Sequence, residues 1–175
     1  MNFQRFLCLF ITVILFLGFS GCGYTTNVTI PGNIKTIYVP NFKNSIPISK
    51  RYTYVSGLEI DITNNVIDRL IFDGNLKVVK EDEADAILLG EVIGYEQEAV
   101  RFDSLESVSQ YRLFIVVRLT LKKRETDEIL WQENHFAGDS EYFIDGRDAI
   151  SERSAANLAI EDISKKIVDR IVEDW

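Results

Sequence analysis

Between residues 111 and 123 the chain alternates with a period of two. Tyr111, Leu113, Ile115, Val117, Leu119 and Leu121 fall on one side, and Arg112, Phe114, Val116, Arg118, Thr120 and Lys122 on the other. Such a run is a strand with one face toward a core and the other away from it. The residues after it, 124–128, are a polar turn, and 129–138 read as the returning antiparallel strand. Residues 141–149 lead out of the sheet. Upstream, 86–100 is a long apolar run carrying Gly90 and Gly94, which mark a bulge or a close approach. Residues 76–79 are a short strand, and 81–85 a solvated acidic turn. Residues 36–42 are β-branched and aromatic, and the strand ends at Pro40, which cannot donate to a ladder.

Two segments carry a helical period instead. Leu58, Ile62, Val66 and Leu70 recur every four residues within 56–72, with Ile67 and Ile71 beside them. Ser56 is placed to cap its start and Gly74 to end it. From 151 to 175, Ala156, Ile160, Ile163, Ile167, Ile171 and Trp175 form one stripe opposite a charged face. Each helix needs an apolar surface, and the sheet supplies it. The expected fold is therefore α+β: a two-layer sandwich of a four-stranded, largely antiparallel sheet with both helices on one face. The opposite face, with Arg112, Phe114, Val116 and Arg118, is left uncovered.

The first residues behave differently. One positive charge, Arg5, precedes a nearly continuous apolar run from Phe6 to Phe19, which ends in Ser20, Gly21 and Cys22. The run has the size of a secretory core and falls short of the ~20 residues of a spanning helix. The set Phe19-Ser20-Gly21-Cys22 resembles the lipobox of bacterial lipoproteins, with Phe19 where leucine is usual. That resemblance implies cleavage between Gly21 and Cys22 and acylation of Cys22. Residues 1–21 then form a signal peptide, 22–35 a lipidated tether, and 36–175 a single domain. A multiply acylated residue holds stably to a bilayer.

The chain has 175 residues and a formal charge of −8, and the leader removes only one charge, that of Arg5. An acidic domain of this kind argues against nucleic acid, which is bound through positive surface. Cys8 lies in the leader and Cys22 at the anchor, so the mature domain has neither a free thiol nor a disulfide to stabilise it.

Little points to catalysis. His135 is the single histidine, without recognisable companions for a metal or a general base. The acidic residues at 81–85 and Glu96/Glu98 read as solvated turns and strand faces rather than paired acids. No Gly-rich phosphate loop, nucleophile triad or cysteine-rich metal spacing is present, so no catalytic residue, cofactor or metal is expected. The candidate contact residues are Arg112, Phe114 and Arg118 on the uncovered strand face, and Lys122, Lys123 and Arg124 at the hairpin tip. Guanidinium groups bind phosphate with two prongs, so lipid phosphates or acidic protein surface would suit them. The alternative is pairing with glutamates on neighbouring strands.

In order along the chain, GCGY at 21–24, IYVPNFKN at 37–44, FDGNLKVV at 72–79, ADAILLGEVIGY at 84–95, YRLFIVVRLTLKKRETDEILW at 111–131 and EYF at 141–143 resemble the LptE family of lipopolysaccharide-assembly lipoproteins. The resemblance implies a protein that is not an enzyme, lipid-anchored on the periplasmic side of the outer membrane. It would plug the β-barrel translocon LptD, assist its assembly, and act with it in placing lipopolysaccharide in the outer leaflet. Direct contact with lipopolysaccharide is a further implied possibility. Gly23 fits outer-membrane sorting. A second reading is a lipoprotein activator of a peptidoglycan synthase, similar to LpoB. Those tethers are long, whereas Cys22 to Lys35 spans at most about 50 Å at ~3.5 Å per residue. A carbohydrate-active enzyme is the third and weakest reading.

Overall fold

The computed structural model describes residues 34–47 and 56–172. The leader, Cys22, most of the tether and Trp175 lie outside these residues. In chain order the elements are β1 (Thr36–Tyr38), β2 (Lys43–Asn44), α1 (Leu58–Asp73), β3 (Lys77–Val78), a 3-10 turn (Glu81–Glu83), β4 (Ala86–Phe102), β5 (Val108–Lys123), β6 (Ile129–Phe143) and α2 (Glu152–Val172). The α+β class holds, but the sheet has six strands and is mixed, not four-stranded and largely antiparallel. The strands run β3-β1-β4-β5-β6, with β2 also on β4. β1 is parallel to both β3 and β4, and β2 is parallel to β4. Only β4-β5 and β5-β6 are antiparallel.

The parallel part follows from connectivity. A strand, a helix and a second strand in succession form a crossover unit, and its strands run the same way. Pro40 ends β1, after which the chain rejoins the same edge of β4 as β2: Ile37 lies opposite Ala86, and Lys43 opposite Glu91. The returning strand β6 continues to Phe143, so Glu141, Tyr142 and Phe143 belong to the sheet instead of leading out of it.

The strand alternation in β5 is observed as expected. Leu113, Ile115, Val117, Leu119 and Leu121 are buried in one cluster with Leu58, Ile62, Val66 and Leu70 of α1 and Ile160, Ile163, Ile167 and Ile171 of α2. α1 starts on Gly57, whose φ of 88° is left-handed, and no side chain caps it, so Ser56 does not have the expected role. Gly74, at φ 76°, closes the helix with its N–H donating to the Leu70 carbonyl at 3.1 Å. Ser151 does cap α2: its hydroxyl accepts from the Ser154 N–H at 3.1 Å.

Two features fix how α2 sits. A β-carbon on Gly138 would lie 2.4 Å from Ile163 Cβ and 2.6 Å from its backbone nitrogen, so strand and helix touch there without a side chain between them. Two backbone groups on the outer edge of β6 are taken by helix side chains. The Asp139 N–H donates to Asp162 Oδ2 at 2.9 Å, and Lys166 Nζ donates to the Ala137 carbonyl at 3.4 Å. An edge strand otherwise offers unpaired groups to any passing strand. Burial opposes the charge of Lys166, but Asp162 and Asp139 outweigh it and the amine titrates above its usual range.

The acidic segment 81–85 is not merely a solvated turn. Asp85 Oδ2 accepts from the backbone N–H groups of Lys35 and Thr36, both at 2.9 Å, and these bonds hold its carboxyl below the usual range. This clamp fastens the start of the domain to the start of β4. Glu81, Asp82 and Glu83 are exposed.

Candidate functional site

The sheet face opposite the buried side of β5 is built by β4, β5 and β6. Its middle column is Arg112, Phe114, Val116 and Arg118 of β5, as the alternation predicts. On β4 the outward positions are set by a bulge. The register shifts between Val92 and Gly94, so Glu91 lies opposite Arg118, then Glu96 opposite Phe114 and Glu98 opposite Arg112. The extra residue reverses the parity of the strand. It turns Glu96 and Glu98 outward, and it turns Tyr95 into the core, where its hydroxyl meets Glu152 Oε1 at 2.8 Å. Burial and Glu152 together push the Tyr95 phenol well above its usual range. Gly94 leaves room for Val116, whose Cβ would lie 3.2 Å from an added β-carbon, and Val116 is buried on this face. Of the two glycines singled out in the sequence, Gly94 borders a bulge and Gly90 is a close approach: the Phe42 ring lies where its β-carbon would be.

The arginines are paired across strands. Arg118 Nη1 meets Glu91 Oε2 at 2.8 Å. Arg112 Nε donates to Glu141 Oε1 at 2.9 Å, and Asp139 Oδ2 is 3.8 Å away. Glu141 is the principal reason the guanidinium is held more firmly protonated than usual. Both arginine side chains keep about 40% of their surface exposed: 41% for Arg112 and 43% for Arg118. With Glu96 and Glu98 exposed and Asp139 half-buried, carboxylates outnumber guanidiniums on this face. It is a flat, acidic, cross-linked surface with Phe114 and Val116 at its centre, not a cluster of free cations.

The hairpin tip is neutralised in the same way. Lys122 pairs with Asp127 at 2.5 Å and Lys123 with Glu128 at 2.7 Å. Arg124 Nε donates to the Ala84 carbonyl at 2.7 Å, while Nη2 meets Glu125 at 3.2 Å. The tip is thus tied to the domain entry and is not part of the β4-β5-β6 face centre. Lys122 alone joins that face, opposite Ile87.

The sequence reading missed a hollow of about 280 Å³ on the same side, lined by Tyr38, Lys43, Ile87, Leu89 and Lys122 among others. Its signal was available in part, since Leu89 is an apolar residue at a solvent-facing parity. The placing of Lys43 depends on β2, which two polar residues do not announce. His135 is exposed on β6. Among the described residues no cluster of His, Cys, Asp and Glu is arranged to hold a metal, and no helix is long and apolar enough to cross a membrane.

The family model described as lipopolysaccharide-assembly, LptE, matches residues 34–175. The chain belongs to the LptE family. Membership places this LptE-family chain in lipopolysaccharide assembly and in a family of lipoproteins without enzymatic activity. No curated protein matches it. Among solved structures, a hypothetical protein of Chlamydia trachomatis is similar at 12% identity and TM-score 0.53, covering 78% of this chain and 95% of that one. A protein of Xanthomonas campestris gives 11% identity and TM-score 0.52, covering 79% and 84%. The rare lipoprotein B of Shewanella oneidensis gives 18% identity and TM-score 0.47, covering 79% and 92%. At these identities the first two likenesses concern the fold alone.

Proposed function

We propose that this LptE-family chain is a lipid-anchored subunit of the outer membrane, attached through Cys22, that seats in the lumen of the LptD β-barrel and assists its assembly. In this reading the two helices form one layer, and the far sheet face meets the barrel wall. The observation that carries the choice of face is its saturated ion pairing: Arg112 with Glu141 and Arg118 with Glu91 leave a polar, preorganised surface around Phe114 and Val116. Such a surface suits a protein contact, because the charges are already held and little ordering is lost on docking. Direct lipopolysaccharide contact belongs in this reading to the hollow, where Leu89 offers apolar surface and Lys43 offers charge for phosphate, Lys122 being held by Asp127.

The test is affinity purification of the lipidated protein from membranes. The wild type brings down one large β-barrel protein. Arg112→Glu combined with Arg118→Glu sets new negative charges beside Glu141 and Glu91 and lowers that recovery severely. Exposed pairs contribute only about 0.2–1 kcal/mol each, so the thermal midpoint falls by no more than about 6 °C. Capture of a peptidoglycan synthase instead of a barrel would overturn the proposal, and so would unchanged barrel recovery by the double variant.

A further inference from the structure

The domain presents an unpartnered apolar patch at the end where its tether enters. Ile71 is 63% exposed and Phe72 82% exposed, side by side on the last turn of α1. Neither contributes to the core stripe, which Leu70 completes. The Arg69 guanidinium lies 5.6 Å from the centre of the Phe72 ring. The position of this turn is fixed by the strand after it, β3. Five residues beyond Phe72, the Lys77 N–H donates to the Lys35 carbonyl at 2.9 Å, and Lys77 lies opposite Thr36. Phe72 is therefore within about 22 Å of the first residues of the domain. The other end of the sheet, at the β4-β5 turn, is about 50 Å away along β4.

We infer that this end of the domain docks on the phospholipid leaflet in which the Cys22 lipid is held, with Ile71 and Phe72 entering the interface. The inference rests on the lipid-anchor reading of Cys22. Eleven residues lie between Cys22 and Ile34, and a chain of that length reaches at most about 42 Å at ~3.5 Å per residue, short of the far end of the sheet. The anchor thus presents this end, and not the far one, to the bilayer at high effective concentration. An aromatic and a β-branched side chain beside an arginine suit the interface. The two apolar side chains enter the acyl boundary, and the guanidinium stays at headgroup level. The surrounding charges are of both signs: Lys77 and Lys80 against Asp68, Asp73 and Glu81. The contact is accordingly apolar in origin and does not require anionic lipid. It describes the lipoprotein before it meets a protein partner.

The experiment uses the full lipidated protein in phosphatidylcholine vesicles, floated on a density gradient. Phe72→Cys and, separately, Leu105→Cys carry an environment-sensitive fluorophore. Leu105 is also 82% exposed but lies in the turn at the far end of the sheet. The label at 72 is expected to shift to shorter wavelength and to be quenched about threefold more by brominated acyl chains than the label at 105, as for an apolar face 5–10 Å deep. Adding phosphatidylglycerol leaves that ratio unchanged, and Ile71→Asp in the Phe72→Cys background lowers it toward one. Equal quenching at 72 and 105 in protein that floats with the vesicles overturns the docking inference and leaves the anchor intact. Protein that does not float, with Cys22 open to the label, overturns the anchor itself and the inference with it.

Discussion

Gly138→Ala adds one methyl group where β6 and α2 are in direct contact. The new carbon would lie 2.4 Å from Ile163 Cβ, 2.6 Å from its nitrogen and 2.7 Å from its Cα. Ile163 is wholly buried, and two of the three atoms are helix backbone, so no rotamer change relieves the contact. Strand and helix must separate by roughly 1 Å, the difference between these distances and ordinary contact. Separation strains the bonds that hold α2 at this place: Asp139 N–H to Asp162 at 2.9 Å, and Ser140 Oγ to the Ala155 carbonyl at 2.7 Å. Overpacking of this kind costs about 1–3 kcal/mol, and each weakened bond adds up to about 1 kcal/mol. Against this, alanine restricts the unfolded chain and returns about 0.4–1 kcal/mol. The expected net loss is about 2–4 kcal/mol, or a fall in thermal midpoint of about 6–12 °C for a chain of this size. Urea unfolding of the leader-free chain followed by circular dichroism measures it. Gly146→Ala is the comparison: its φ is 83° with open space around it, so only backbone strain of about 1–2 kcal/mol is felt. A Gly138→Ala midpoint equal to or above that of the wild type would refute the claim that helix and strand meet without clearance.

Two further outcomes test the polar interior and the entry clamp. Thr63 is wholly buried, and its hydroxyl accepts from the Phe42 N–H at 2.9 Å while donating to the Glu59 carbonyl at 2.6 Å. Thr63→Val keeps the shape but strands the Phe42 N–H, which lowers stability by about 1–3 kcal/mol in thermal unfolding, whereas Thr63→Ser stays close to the wild type. The Asp85 carboxyl titrates below its ordinary 3.8, so its clamp contributes fully above that pH and is lost as pH falls through the lower folded value. Asp85→Asn removes the part of the acid sensitivity below about pH 4 that this group supplies. The slope of unfolding midpoint against pH, compared for the two proteins between pH 5 and 2, checks it.

The fold was readable wherever a repeating pattern meets a single core. β5 shows this best, since every inward residue from Leu113 to Leu121 is buried. The stripe of α1 is equally plain, apart from Ile71, whose apolar character suggests the core but whose angle around the helix points it to solvent. Parallel pairing was less legible. β2 and β3 are two residues each, and Lys43–Asn44 has no strand-like chemistry. Their place is set by the partner edge, not by their own side chains. The candidate face was found from β5 alone, yet its electrostatics depend on the bulge at Ile93. One inserted residue exchanges the sides of everything after it on β4, and the β5-β6 register shifts as well between Val117 and Leu119, so the cross-strand partners of Arg112 could not be named from spacing. Asp85 was hidden for a different reason: amid Glu81, Asp82 and Glu83 it looks like another solvated acid, and only the nearby amides of Lys35 and Thr36 distinguish it.

The covered stretch in the margin of β6 bears on how such a protein can survive crowding. Molecules confined to a surface collide far more often than the same molecules in bulk, and always in a few orientations. A bare fifteen-residue margin would invite neighbour to join neighbour in an endless ribbon. With Asp162 on the Asp139 N–H and Lys166 on the Ala137 carbonyl, a ladder cannot run unbroken along that margin, and association is steered toward faces, where it can stop at a single partner.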